Sequence, residues 1–394
     1  MPHENRFQHQ QYPTVPAIEP VLKMLNVDEA TATDFSKLHT SLNIGRVIVV
    51  HGTFMGDDPF GIAETLKSAG ESIPLLAGQL NRIAEASLEK SRPFTTSLAG
   101  DVGNYNEAYR ERFQKLVGDD PQIELMNPTW SGQNHHLARA DLAVKLLHQL
   151  LMRPLLADQN VLLWGHSHAG NAFALLTNLL ANHKPTLAKF FDAADQNGVP
   201  QWDEVRNNLL LETSPHPLAS RINIASFETP VRYGWDNDGY ARLVHVTFHR
   251  PYNEAAPTLT KPLFPPHLPA DVANAKWGDW VQAFAIAGTD VSTMPTRTIN
   301  KNLTTLLEAN LPEPVYGLDT RFIMPRQLRD TCVRWKTGTR CHSDGLNVLV
   351  DYEPSGDLSS IGRPLELSLL GHGVATTIRW LPTHLKLIMD AMLK

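Results

Sequence analysis

The segment Gly165-His166-Ser167-His168-Ala169-Gly170 sets a serine hydroxyl between small residues. It follows the apolar run Val161-Leu162-Leu163-Trp164 and precedes Asn171-Ala172-Phe173-Ala174-Leu175-Leu176. The first run has the length and composition of a buried strand, the second those of a buried helix. A serine on so sharp a strand-to-helix turn is held out at the edge of a sheet, where it can act as a nucleophile. The flanking positions must be small because strand and helix nearly touch there. Gly165 meets that demand, and Ala169 departs from the usual glycine by one methyl.

A serine hydroxyl attacks poorly until a base takes its proton. The chain has 17 histidines, so position must decide among them. His372 lies in Gly371-His372-Gly373, just before the helix-like residues 378–393. The two glycines leave the backbone free to bring an imidazole over the serine. His342, in a polar loop, and His384, on a helix face with Leu381 and Leu385, are rivals. His166 and His168 flank the serine, but the turn should point both rings away from its hydroxyl. An acid that orients the base should follow a strand between serine and histidine in chain order. Asp290 ends the strand-like residues 280–290, which open through Gly288. Asp351, closing a strand at 346–350, and Asp344 before it stay open as alternatives, as do Asp236 and Asp238.

Acyl transfer also builds negative charge on an oxygen, which two preorganised N–H groups must receive. One is the amide after the nucleophile, that of His168. The other belongs to a loop after an earlier strand. Val47-Ile48-Val49-Val50 runs into His51-Gly52-Thr53-Phe54, so the amide of Phe54, or that of Thr53, is expected there.

With His51-Gly52 after a strand, the Ser167 turn and the late Gly371-His372-Gly373, the chain resembles the α/β-hydrolase superfamily of lipases and esterases. Trp130-Ser131-Gly132 after a strand at 123–126, and Phe227-Glu228-Thr229-Pro230 after one at 222–226, look like lipase-type members. The resemblance implies an α/β fold, a mostly parallel central sheet flanked by helices, with lid- or cap-like insertions. It also implies hydrolysis of a carboxylic ester, lipid or other acyl, through an acyl-enzyme on Ser167 and without a cofactor. The same triad would serve an acyltransferase. An inactive scaffold used for binding is the reading that Ser167, His372 and an acid in chain order argue against.

The elements that must position these residues alternate strand, loop and helix. Residues 1–43 form a lead-in, with 21–24 and 35–42 expected to pack on the body. Residues 44–394 form one α/β domain with insertions at about 57–122, 251–279 and 295–340. A helix at 137–151 leads back to the serine's strand. Five prolines between 252 and 269 bar regular helix or central strand there. Trp130, Phe54, Met55 and Phe60 near the motifs hint at an apolar acyl pocket.

Composition excludes several classes. With 42% hydrophobic and 19% charged residues, the bulk of the chain should fold rather than stay disordered. A formal net charge of −6 supplies no basic field for a phosphate backbone, so no nucleic-acid partner is expected. No apolar stretch is long enough to span a bilayer. Residues 1–11 lack the apolar core of a secretory signal, so the expectation is a cytoplasmic protein. Cys332 and Cys341 are then expected to stay reduced. With His342 they do not complete a zinc site, which wants four ligands.

Overall fold

Strands buried on both faces carry apolar side chains at every position rather than alternating with polar ones. Ile44–Val50 (β2) is buried throughout, and Asn160–His166 (β4) and Arg242–Phe248 (β6) are buried beyond their first residues. Ile222–Phe227 (β5) is also fully buried, and Leu346–Glu353 (β7) is buried except at its ends. Val21–Asn26 (β1) alternates between exposed and partly buried positions until the buried Leu25, as befits an edge strand. Glu124–Met126 (β3) is short and partly buried. These strands come from a computed structural model that describes residues 7, 18, 20–30, 32–53, 105–118, 123–156, 158–230, 232–249, 278–279, 292–293, 295–307, 345–353 and 371–394.

All the described strands pair in parallel, in the order β1-β7-β6-β5-β4-β2-β3. Successive side chains point to opposite faces, and helices cover both. On one face Ile48, Val50, Val161, Leu163, Ile222 and Ile224 share an apolar cluster with a run of helices. These are His136–Met152 (α3), His168–Ala181 (α4), Lys184–Ala194 (α5), Pro200–Leu211 (α6) and Arg297–Leu307 (α7). On the other face Val47, Val49, Leu162, Trp164, Val246 and Val350 pack with Lys37–Thr40 (α1), Glu107–Val117 (α2) and Leu381–Met392 (α8). Trp164, from the middle of β4, meets the edge of Phe113 at 5.4 Å and the ring of Phe227 at 4.5 Å.

The lead-in does more than lie on the body, because β1 forms an edge of the sheet, with Val21 opposite Val348. Further upstream, Phe7 stacks on Phe190 at 4.8 Å and its amide donates to Asn178 Oδ1 at 2.7 Å. The expected insertions at 57–122 and 295–340 each contribute a helix to the layers. From α2, Tyr109, Phe113 and Val117 are buried, and from α7, Leu303 and Leu307 are. Most of the rest of those insertions, and nearly all of 251–279, lie outside the described residues. So do His342, Cys332 and Cys341. Among the described residues no helix is long and apolar enough to cross a membrane.

From β2 the chain steps outward to β3, then returns across β2 to β4. Strand order therefore reverses between β2 and β4, where Val50 lies opposite Gly165. At such a switch point the loops after neighbouring strands splay apart, and open α/β sheets bind ligands in the resulting crevice.

Several histidines are buried in the layers. Burial holds His245 and His384 down to about 3, with Ser226 Oγ 2.6 Å from His245 Nδ1 and Tyr352 Oη 3.0 Å from His384 Nε2. Burial, then the nearby Arg139, does the same to His135. Each stays neutral in the folded state but takes a proton near pH 6.5 once unfolded. The unfolded chain thus binds more protons between about pH 6.5 and 3, and stability is lost as pH falls through that window. The unfolding free energy from urea titrations should therefore fall steadily from pH 7 to 5, by up to about 1.4 kcal/mol per pH unit for each such histidine. An unchanged free energy over that interval would contradict this burial.

Candidate active site

The turn after β4 has the geometry its small residues foretell. Ser167 adopts φ 55° and ψ −130°, and α4 begins at the next residue. Its amide still belongs to the sheet, donating to the Phe227 carbonyl at 2.8 Å. A Cβ on Gly165 would strike the Phe173 ring and sit 3.2 Å from the Ala169 methyl. Ala169 is tolerated because Gly165 leaves room for its one methyl. A Cβ on Gly170 would overlap Thr229, the residue that follows Glu228 at the end of β5.

The loop after β2 closes the other side. A Cβ on Gly52 would lie 2.7 Å from Ser167 Cβ and 3.3 Å from its Oγ, so the Gly52 backbone rests against the serine. Trp130 braces this loop, with Nε1–H donating to the His51 carbonyl at 3.1 Å and the two rings stacked at 5.8 Å. Thr53 is buried beside Gly52, whereas Phe54, Met55 and Phe60 lie outside the described residues. His168 opens α4, where backbone amides point out of the helix start. The region around Ser167 thus has one amide-bearing loop on each side.

His372 reaches the turn from the opposite direction. Gly371 takes φ 89°, and the His372 carbonyl accepts the Nε2–H of His166, Ser167's neighbour, at 2.9 Å. The two imidazoles pack at 4.6 Å between centroids. His372 Nδ1 lies 2.7 Å from Oδ2 of Asp279, which is fully buried. A contact that short to a carboxylate places the proton on Nδ1 and leaves the Nε2 lone pair to accept one. Neither His372 Nε2 nor the Ser167 hydroxyl makes a hydrogen bond among the described residues.

Asp279 is held by the end of β6. Its amide donates to the Phe248 carbonyl at 3.2 Å, and Gly278 bridges His249 with φ 98°. A Cβ on Gly278 would overlap the Phe248 carbonyl oxygen. Glu228, at φ 51° after β5 and fully buried, accepts the Phe248 amide at 2.6 Å through Oε1. Phe248 is thus fixed on one side by Glu228 and on the other by Asp279.

Of the residues singled out in the sequence, the structure gathers Ser167, His372, His168 and Thr53 around one turn. The carboxylate found on His372 Nδ1 is that of Asp279, a residue the sequence reading did not single out. Asp290 and Asp344 lie outside the described residues. Asp351 Oδ1 accepts the Tyr352 amide, and Asp236 Oδ1 caps the turn at Asp238. His384 pairs with Tyr352 instead of approaching the serine. His168 Nδ1 accepts from Asn171 Nδ2 at 2.9 Å, and that amide also donates to the Pro230 carbonyl. Asp279 and Glu228 were missed. Gly278-Asp279 resembles the glycine-before-acid pattern at Gly288-Thr289-Asp290 that drew attention to Asp290, but it follows the proline-rich stretch 252–269 and not a strand-like run. Among the described residues no group of histidine, cysteine and carboxylate side chains could hold a metal ion.

The tight packing at Gly165 is directly testable. Gly165→Val should lower stability by about 1–3 kcal/mol, the usual cost of overpacking, read from urea unfolding. Wild-type stability in that variant would mean that Phe173 does not press on the turn as described. Comparison with known protein-family models, with curated proteins and with solved structures returned no match for this chain.

Proposed function

We propose that this chain is a serine hydrolase of the α/β-hydrolase type, cleaving carboxylic esters through an acyl-enzyme on Ser167. The observation that carries the reading is the 2.7 Å bond from His372 Nδ1 to Asp279, with Nε2, beside the Ser167 turn, making no hydrogen bond among the described residues. Buried Asp279 fixes the tautomer and stabilises the imidazolium that forms during turnover. In the first step Ser167 Oγ bonds to the ester carbonyl carbon while its proton passes to His372 Nε2. The carbonyl electron pair moves onto oxygen, where the amides of His168 and of Thr53 or Phe54 receive the charge. Collapse of that intermediate breaks the bond to the alcohol, which leaves with the proton from His372. Water, deprotonated by the same nitrogen, then releases the acid and restores the serine. An apolar acyl chain suits Phe54, Met55 and Phe60 in the segment after Gly52.

The test is hydrolysis of p-nitrophenyl esters of increasing acyl length. Ser167→Ala should abolish turnover apart from a residue of roughly 10³-fold over water. Asp279→Asn should keep the geometry but favour the wrong tautomer, costing about 10⁴ in kcat. Asp290→Asn should cost far less than Asp279→Asn. The reverse ranking would return the acid's role to Asp290, and an active Ser167→Ala protein would refute the nucleophile.

A further inference from the structure

His372 sits on a loop between two glycines, a backbone with little stiffness of its own. Its far side is held by the Gly373 carbonyl, which accepts the Thr376 amide at 3.1 Å and the Thr376 hydroxyl at 2.8 Å. On its near side stands His166, the last residue of β4, in register with Phe227 of β5 and therefore fixed by the sheet. His166 is 2% exposed, and its Nε2 is 2.9 Å from the His372 carbonyl oxygen. A carbonyl only accepts, so Nε2 carries the proton. The other nitrogen, Nδ1, has no hydrogen-bond partner among the described residues.

We propose that His166 is a positioning residue: its Nε2–H clamps the loop that carries His372 onto the strand that carries Ser167. Nucleophile and base are then set by one rigid element instead of by a strand and a separate glycine loop. This rests on the reading of Ser167 and His372 as nucleophile and base. Burial, and then the neighbouring His372 and His51 rings, keep His166 well below the ordinary histidine range. A neutral ring keeps a single proton, and that proton stays in the bond to the carbonyl. It also places no fixed charge against the imidazolium that His372 becomes during turnover. The ring contact at 4.6 Å, tilted by 48°, adds a second restraint on the same loop.

Two variants separate clamping from mere space-filling. His166→Phe keeps a ring but loses the donor, and His166→Gln keeps an N–H near the same place. The first readout needs no turnover: the low-field proton resonance of His372 Nδ1–H, assigned by its loss in His372→Ala. It should be sharp in the wild type, broadened or lost in His166→Phe, and recovered in His166→Gln. The second is p-nitrophenyl ester kinetics. Misplacing a catalytic group by an ångström costs up to about 100-fold, so His166→Phe should lose about 10- to 100-fold in kcat with KM little changed. His166→Gln should regain most of that loss. A sharp resonance and wild-type kcat in His166→Phe would overturn the proposal. So would equal impairment of both variants accompanied by a matching fall in melting temperature, which would make His166 structural only. If the resonance responds as expected while the wild type cleaves no ester, the clamp stands and the hydrolase reading fails.

Discussion

Ser167 holds φ at 55°, a backbone conformation that costs a residue with a Cβ about 1–3 kcal/mol. The turn keeps it because every neighbouring surface is already committed. The serine's amide is tied into the β5 ladder, its carbonyl accepts the Gly170 amide at 3.0 Å, and α4 starts at once. Three glycines make the arrangement fit, each at a point where another chain segment passes too close for a Cβ. Gly165 faces Phe173, Gly170 faces Thr229, and Gly52 faces the serine itself. With a side chain at any of them, strand, helix or loop would have to move and take the hydroxyl with it.

The strained turn is useful only where other chain segments converge on it. The reversal of strand order between β2 and β4 opens the crevice, and the loop after β2 lies along the serine. Strands β5 and β6 end close by and supply the rest. Glu228 breaks β5 with its own positive φ, and its carboxylate then takes the place of a strand partner for Phe248. Phe248 in turn anchors Asp279. A fully buried carboxylate is costly unless hydrogen bonds satisfy it, and His372 meets that need at 2.7 Å. The pairing that offsets the burial of Asp279 is the one that orients the His372 ring.

Much of this was legible before any coordinates. The central strands announced themselves through unbroken apolar runs, and Gly165, Ser167 and Ala169 defined a turn whose crowding the structure bears out. Position and flanking glycines brought His372 forward, and the structure sets its loop against His166, the neighbour of Ser167. The buried carboxylate partner of His372 was not legible, for a physical reason. Asp279 reaches His372 after an excursion from β6 whose length and prolines hide its return to the sheet. Chain order narrowed the search to a region, while only the three-dimensional return of Gly278 to His249 selects the residue. Glu228 was hidden differently, because nothing in Phe227-Glu228-Thr229 says that its carboxylate turns back to bond a backbone amide. Within two of the expected insertions, α2 and α7 are helices with a buried apolar face, a detail that insertion bounds alone do not give.

The most direct measurement is the site and rate of covalent labelling by a fluorophosphonate, which reacts with serines activated by a neighbouring base. Tandem mass spectrometry of the labelled wild-type protein should locate one adduct, on Ser167. The second-order labelling rate should fall steeply in His372→Ala, whose fold is otherwise kept. An adduct on another residue, or labelling of Ser167 at an undiminished rate without His372, would contradict the account of Ser167 as a nucleophile activated by that histidine.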